Sequence, residues 1–348
     1  MMIFSGRWQD TSISKKKDNS QDFKDKIYFI IGKGGTGKTT IAASLGISLA
    51  KRGKKVLLVS LDPAHNLGDV LEKKLSDKAE KILENLEGIE VDIDEARDTY
   101  LKNTMNKMKD YYNYLQIFNL DNLLDIFTEA PGIEEYVIME LIWKYLKMDK
   151  YDYFIFDTAP TGITLKVLTL PYINLQWIKK LIKLRENILD KRSSIENIKG
   201  PSYINLNNEK VKLSAEKDHD PVLKELNRYY TRIKWIYDIF INENITEAII
   251  ISNNNRLSAL ESERALTKLK KIKMSVSKMI INKIKYRENE KYNYTYNNYI
   301  KKLRDDYNNI EWINLPDIKV SQLKEEHLQI LGDRLINKGL YNKGGNNE

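Results

Sequence analysis

Apolar residues are distributed along this chain in two patterns. The first is continuous. Ile27-Tyr28-Phe29-Ile30-Ile31, Val56-Leu57-Leu58-Val59-Ser60-Leu61 after Lys54-Lys55, and Tyr153-Phe154-Ile155-Phe156 after Tyr151-Asp152 are short β-branched and aromatic runs. Such runs predict strands covered on both faces, as in a parallel sheet. Gly88-Ile89-Glu90-Val91-Asp92-Ile93-Asp94 alternates apolar with acidic positions and predicts an edge strand. The second pattern has helical period. Thr40 to Lys51 predicts one helix, and Ala96 to Met148 is mostly helical, with breaks near Asn119-Leu120-Asp121 and at Ala130-Pro131-Gly132. Farther on, Ile173, Trp177, Leu181, Leu184 and Ile188 form a stripe widened by Ile178, Ile182 and Leu189, with Lys179, Lys180, Lys183 and Arg185 opposite. Leu226, Tyr230, Ile233, Tyr237 and Phe240 form another. The polar segment Ser193 to Pro221 between them predicts irregular chain.

The first strand runs straight into Gly32-Lys33-Gly34-Gly35-Thr36-Gly37-Lys38-Thr39-Thr40, and the first helix follows. G-x-x-x-x-G-K-T between a strand and a helix is a phosphate-binding loop. Glycines let successive N–H groups converge on phosphate oxygens, and the helix N-terminus adds a positive field. Lys38 is placed to reach the β- and γ-phosphates, and the Thr39 hydroxyl to ligate Mg²⁺. The second and third strands end in acids, in Asp62-Pro63-Ala64-His65-Asn66 and Asp157-Thr158-Ala159-Pro160-Thr161-Gly162. Carboxylates at the C-terminal ends of strands are where a doubly wound sheet meets its ligand. Asp157 stands as a Walker-B acid for the Mg²⁺ shell, and Gly162 leaves the backbone free to approach or release a γ-phosphate.

These residues also carry a resemblance. Lys33 early in the loop, the Asp62-Pro-Ala-His-Asn66 and Asp157-Thr-Ala-Pro-Thr-Gly162 stretches, and Pro131-Gly-Ile-Glu-Glu135 follow the order and spacing of the arsenite-pump ATPase family, which includes the eukaryotic tail-anchored-protein targeting ATPase. Ala248-Ile-Ile-Ile251, Leu260-Glu-Ser-Glu-Arg-Ala-Leu266, Val276 to Asn282, Leu315-Pro316 and Leu328 to Leu335 extend it over about Lys26 to Leu335. The resemblance implies a P-loop NTPase of α/β class, with a mostly parallel doubly wound sheet and an inserted helical subdomain. Its core would comprise residues 25–98, 149–171 and 246–340, and its helical part residues 99–148 and 172–245, after a flexible extension over residues 1–24.

The resemblance further implies an Mg²⁺-dependent ATPase working as a homodimer. Lys33 would reach the partner's nucleotide, Asp62 would orient the attacking water and sit near Mg²⁺ with Thr39 and Asp157, and Asn282 would contact adenine. The helical part of the targeting factor holds a hydrophobic client's transmembrane segment. Here the stripes either form such a groove, pack only against the rest of the fold, or touch anionic lipid. A membrane-protein partner is the other output the family offers, and a nucleotide-gated scaffold with little turnover is the alternative class. The chain departs from the family in Ile163, where a histidine follows the switch glycine, and in Asn253-Asn-Asn-Arg256, where a Pro-Glu turn is usual.

Composition narrows this. The 348 residues contain no cysteine, so disulfides, thiolate zinc, the pump's arsenite thiols and the targeting factor's zinc clasp are all excluded. Three histidines make a histidine metal cluster an uneconomical reading. A net charge of +8 allows an anionic partner, but Lys, Asn, Ile and Tyr are abundant throughout, and compositional bias accounts for the Tyr-, Asn- and Lys-rich stretch at Asn289 to Asn309 more simply than nucleic acid does. No run reaches the ~18 apolar residues of a membrane span, and the N-terminal residues have no signal-peptide core, so a cytoplasmic protein is expected.

Overall fold

In the computed structural model the described residues are 25–64, 66–111, 132–200, 203–206, 209–212, 216–284, 290–317 and 324–337. They divide into two compact units, one drawn from Ser12–Ile93, Ile138–Thr169 and Asp238–Glu348, the other from Asp94–Val137 and Leu170–Tyr237.

The first unit is an eight-stranded sheet with helices. Its strands are β1 (Lys26–Gly32), β2 (Val56–Ser60), β3 (Glu80–Leu83), β4 (Leu86–Glu90), β5 (Tyr153–Asp157), β8 (Thr246–Asn253), β9 (Val276–Ile284) and β10 (Glu311–Pro316). The spatial order is β10-β9-β8-β1-β5-β2-β4-β3. Every pairing is parallel except β3 with β4. The chain builds outward from β1 through β2 and β4 on one side, then from β8 to β10 on the other. This reversal at β1 is the switch point at which doubly wound sheets bind ligands, and it gives the mostly parallel α/β fold expected from the apolar runs. Those runs are continuous because both faces are covered: β2 and residues 27–32 of β1 are buried throughout.

The alternating stretch does not form an edge. β4 spans Leu86–Glu90 and lies between β2 and the antiparallel β3, which takes the edge position. Its acids have partners. Glu87 accepts from Lys150 Nζ at 2.7 Å and Tyr151 hydroxyl at 2.6 Å, and Glu90 accepts backbone N–H groups described below. Of the alternating acids only Glu90 lies in the strand; the chain leaves it after Glu90 and starts a helix at Ile93, so the exposed Asp92 and Asp94 belong to a strand end and a helix start.

α1 (Lys38–Lys51) is buried almost all round, with Lys38 and the unbroken run Ile41–Ala50 inaccessible. Its small residues let neighbours approach closely. The last helix of the unit, α9 (Glu325–Leu335), crosses it at Gly332, where an added Cβ would lie 2.0 Å from the Ser44 carbonyl oxygen. The crossing is locked at its rim by Ser48 donating to Asp333 at 2.8 Å, Arg52 to Asp333 at 3.1 Å and Lys51 to Glu325 at 2.7 Å. The other helices of the chain are α2 (Leu67–Leu71), α3 (Ile93–Tyr111), α4 (Ile133–Leu146), α5 (Thr161–Lys199), α6 (Pro221–Ile241), α7 (Arg256–Lys271) and α8 (Glu290–Asp306).

The second unit contains most of α3, α5 and α6 and the hairpin β6 (Tyr203–Leu206) with β7 (Glu209–Lys212). The described residues after Ser193 are mostly regular, in a helix and a hairpin. α5 continues to Lys199 and stops at Gly200, whose φ of 80° and N–H bond to the Glu196 carbonyl at 2.9 Å make a left-handed helix end. Asp220 caps α6 through the Leu223 N–H at 2.7 Å and takes a two-pronged ion pair from Arg185 at 3.1 and 2.6 Å. That hydrogen-bonded guanidinium holds the Asp220 carboxyl below its usual pKa. Asn174 bridges two tyrosines, accepting from Tyr136 hydroxyl at 3.0 Å and facing Tyr229 hydroxyl at 3.1 Å.

The apolar stripe of α5 takes an unexpected orientation. Leu175, Ile178 and Leu189 are buried, while Ile173 is 43% exposed, Trp177 51%, Leu184 56% and Ile188 40%. The breaks expected near Asn119 and at Ala130–Pro131 lie outside the described residues, as do residues 1–24. No helix among the described residues is long and apolar enough to cross a membrane.

The α1–α9 contact leaves no room for a side chain. Gly332→Ala is expected to push the two helices apart and lower the unfolding free energy by about 1–3 kcal/mol, read as a lower midpoint in urea or thermal unfolding. An unchanged midpoint would show that the crossing is slack.

Candidate active site

β1 ends at Gly32 and α1 begins at Lys38, so Lys33 to Gly37 make the connection. The loop folds on itself: the N–H and hydroxyl of Thr36 donate to the Lys33 carbonyl at 3.3 and 2.8 Å. Gly37 has φ 95°, a left-handed conformation, and an added Cβ would lie 2.7 Å from the Asn282 amide nitrogen. Only glycine meets both conditions. Gly37 is also the N-cap of α1, where no side chain caps the helix and no acid lies in the first turn. The uncapped N–H groups and positive end of a long buried helix therefore face the loop, the arrangement that binds phosphate. Gly34 and Gly35 are exposed, and Thr39 and Thr40 are half-buried at the start of the helix.

Three charged side chains converge beside the loop. Lys38 is buried, and its Nζ lies 3.4 Å from Asp62 Oδ2, the side chains being 4% and 11% exposed. Asp62 follows β2, and its other oxygen accepts the Ala64 N–H at 3.2 Å. The far side of that turn is pinned by Glu90, which accepts from the N–H groups of Leu67 at 2.8 Å and Gly68 at 3.3 Å. Asp157 closes β5. It is paired in register with Ile30 of β1 and Ser60 of β2, so it lies between the strands that deliver the loop and Asp62. The Thr158 hydroxyl fixes this strand end by donating to the Ile30 carbonyl at 2.7 Å.

Asp157 is fully buried, and neither carboxylate oxygen has a hydrogen-bond partner among the described residues. Burial pushes its pKa up to about 7; the nearby Thr39 hydroxyl and Lys38 ammonium pull it down, and Asp62 and Glu90 push it further up. A buried, unpaired carboxylate beside a threonine hydroxyl at a phosphate loop fits Mg²⁺, which takes one or two protein oxygens and completes its shell with water and phosphate. Among the described residues no group of three or more His, Asp or Glu is gathered to hold a metal, and a site of this kind requires none.

Asn282 approaches from the end of β9. Its amide donates to the Thr36 carbonyl at 2.8 Å and its oxygen accepts the Lys283 N–H at 2.9 Å. Lys283 then donates its own ammonium to the Gly35 carbonyl at 2.8 Å, from a left-handed backbone with φ 57°. The structure thus brings Gly32 to Thr40, Asp62 and Asp157 to one strand-end cluster, with Asn282 against the back of the loop. Lys33 points away from that cluster, to Glu261 of α7 at 3.0 Å. Gly162 has open space where a Cβ would stand, so packing does not demand a glycine there. His65 lies outside the described residues. Glu90, Lys283 and Glu261 were not singled out from the sequence. Lys283 had a local signal, its adjacency to Asn282; the other two join the site only through long-range packing.

A strand–loop–helix with a buried lysine, flanked by two strand-end acids at the switch point of a parallel sheet, defines a P-loop nucleotide hydrolase. The model of the family described as anion-transporting ATPase matches residues 25–336, and the chain belongs to that family and is an ATPase. It is 30% identical over 261 residues to a putative arsenical pump-driving ATPase of Aquifex aeolicus, covering 74% of this chain and 80% of the relative. It is 31% identical over 264 residues to an ATPase ASNA1 homolog of Entamoeba dispar, covering 74% and 76%. It is also similar to the ATPase GET3B of Arabidopsis thaliana, at 30% over 293 residues, 78% of this chain and 67% of the relative.

The unpaired carboxyl has a consequence for stability. With its folded pKa near 7 and its unfolded value near 3.8, Asp157 binds its proton more tightly when folded. Its favourable share is fully present below the unfolded value and is lost as pH rises through about 7. Asp157→Asn is expected to stabilise the nucleotide-free, Mg²⁺-free protein by roughly 1–3 kcal/mol at pH 8, with the gain shrinking towards pH 5. Calorimetry at the two pH values checks this; a loss of stability at pH 8 would mean the carboxylate has a partner in solution.

Proposed function

We propose that this chain hydrolyses ATP at the interface of a homodimer and uses the bound and released states to reshape its helical unit around a membrane-protein client or partner. The observation that carries the catalytic part is the buried cluster of Lys38, Asp62 and Asp157 at the mouth of the loop. Gly32, Gly34, Gly35, Thr36 and Gly37 shape the cradle, whose N–H groups and helix terminus hold the phosphates. Lys38 leaves Asp62 for the β- and γ-phosphate oxygens, which carry more charge than one carboxylate. That exchange frees Asp62 to accept a hydrogen bond from the attacking water and orient it. A carboxylate is a weak base, so positioning and charge stabilisation supply most of the rate. Thr39, Asp157 and Asp62 would hold Mg²⁺ directly or through water, and that ion would supply charge neutralisation for the phosphates. Lys33, at the exposed edge of the loop, would reach the partner's nucleotide and act as an arginine finger does.

Asn282 is proposed to read adenine once nucleotide enters, exchanging its bond to the loop for one to the base. Gly162, unconstrained at the start of α5, would let the segment after Asp157 register the γ-phosphate and pass its loss into that helix. The exposed row of Ile173, Trp177, Leu184 and Ile188 supports the client role. A row of large apolar side chains left open to water marks an interaction surface. The names of the relatives support both outputs, since one is called a pump-driving ATPase and another GET3B.

Asp62→Asn is expected to bind ATP within about a factor of ten of the parent while turnover falls at least ~10²-fold. Turnover preserved in this variant would favour a nucleotide-gated scaffold. The output has its own test. Trp177→Glu combined with Leu184→Glu should abolish capture of a detergent-shielded transmembrane helix by the ATP-bound protein, with ATP hydrolysis in the absence of that helix unchanged. Undiminished capture would remove this face as the client surface.

A further inference from the structure

We propose that Glu261 is a positioning residue that holds Lys33 within its own chain and sets when that lysine becomes available to a second copy's nucleotide. This rests on the homodimer reading above. The observation is the ion pair between Lys33 Nζ and Glu261 Oε1 at 3.0 Å, in which the two side chains are 38% and 30% exposed.

The two ends of this pair differ in freedom. The Lys33 backbone is fixed, because its carbonyl takes both bonds from Thr36. Gly34 and Gly35 after it have no heavy atom within 4 Å of an added Cβ. Among the described residues no atom crowds the Gly34 and Gly35 Cβ positions, which leaves room for the lysine side chain to swing without moving the phosphate cradle. Glu261 is carried on a rigid support. α7 is capped by Asn255 accepting the Ser258 N–H at 2.9 Å, and the Ser258 hydroxyl accepts the Asn253 N–H at 3.0 Å, which ties the helix to the end of β8. Ala259, Ser262, Ala265, Leu266 and Leu269 then bury its inner face.

Both groups line one open cavity of about 760 Å³, together with Thr161, Gly162, Arg264 and Lys268. Glu263, also on this wall, is bonded to the Tyr299 hydroxyl at 2.5 Å, which leaves Glu261 as the carboxylate the structure pairs with Lys33. The cavity joins the loop edge to the first turn of α5, where the γ-phosphate is expected to be sensed. An ion pair this exposed is weak. A triphosphate with several negative charges outcompetes a single carboxylate for the ammonium, so the lysine is surrendered when a partner presents nucleotide and recaptured when it leaves. Glu261 thereby raises the nucleotide concentration and protein concentration at which the dimer closes.

The test compares the parent chain with E261Q, K33A and the double variant. Dimer formation is followed by light scattering with Mg²⁺ and a non-hydrolysable ATP analogue, and turnover is followed against protein concentration. E261Q keeps the size of the side chain and removes its charge. The expected result is nucleotide-dependent dimerisation about three- to ten-fold tighter than the parent in E261Q, weaker in K33A, and in the double variant the same as K33A. The gain in E261Q should fall as salt is raised. E261Q matching the parent while K33A is weakened would overturn the role of Glu261 and leave the dimer reading standing. E261Q acting equally with and without Lys33 would assign its effect to the α7 surface and also overturn the proposal. Turnover independent of protein concentration in the parent, with K33A unchanged, would remove the dimer reading and the Glu261 role together.

Discussion

One buried ammonium between two buried carboxylates is the constraint on which this structure turns. Lys38 satisfies Asp62, and among the described residues Asp157 has only the nearby Thr39 hydroxyl and Lys38 ammonium to offset its burial. An unpaired charge in such a place is costly, and a fold keeps it only if the surroundings are held firmly. The surrounding elements do that. β5 is gripped on both sides in parallel register, the Thr158 hydroxyl ties its end to β1, and Glu90 fixes the turn behind Asp62. Binding and folding are linked: whatever occupies the site stabilises the strand ends that form it.

The loop is held by contacts from a part of the chain far away in sequence. Asn282 and Lys283 take the carbonyls of Thr36 and Gly35. Carbonyls drawn backwards leave the opposite side of the loop to its N–H groups, which is the polarity a phosphate needs. Asn282 thus braces the loop from a strand far along the chain.

Much of the fold was legible because its signals are local. Continuous apolar runs gave β1, β2 and β5, and the loop and its flanking acids were legible because a phosphate site concentrates its chemistry within a few residues of strand ends. What escaped depends on three-dimensional packing. Period alone predicts a stripe on α5 but not which side faces inward, and Ile178 and Leu189 won the interior over Ile173 and Trp177. The Gly88–Asp94 alternation was read as an edge because Glu90 looks solvated in sequence, whereas it is engaged by the α2 N-terminus and β3 covers the outer side of β4. The end of α5 was different: Gly200-Pro201 is a local stop signal, outweighed by the polar composition before it. Glu261 had no local mark at all, since its meaning lies in its distance from Lys33.

The meeting of α1 and α9 has a consequence for how the chain comes into being. Ser48 bonds the carbonyl of Gln329, 281 residues away, and Gly332 closes the same seam. On a growing chain the helix that carries the phosphate loop is made early, yet one flank stays bare until nearly the last of the matched residues has emerged. Long closures of this kind are slow. Until then the Ala-, Leu- and Ile-rich surface of α1 that meets α9 is uncovered. The helix that carries the phosphate loop thus completes its packing only when residues far along the chain have joined it.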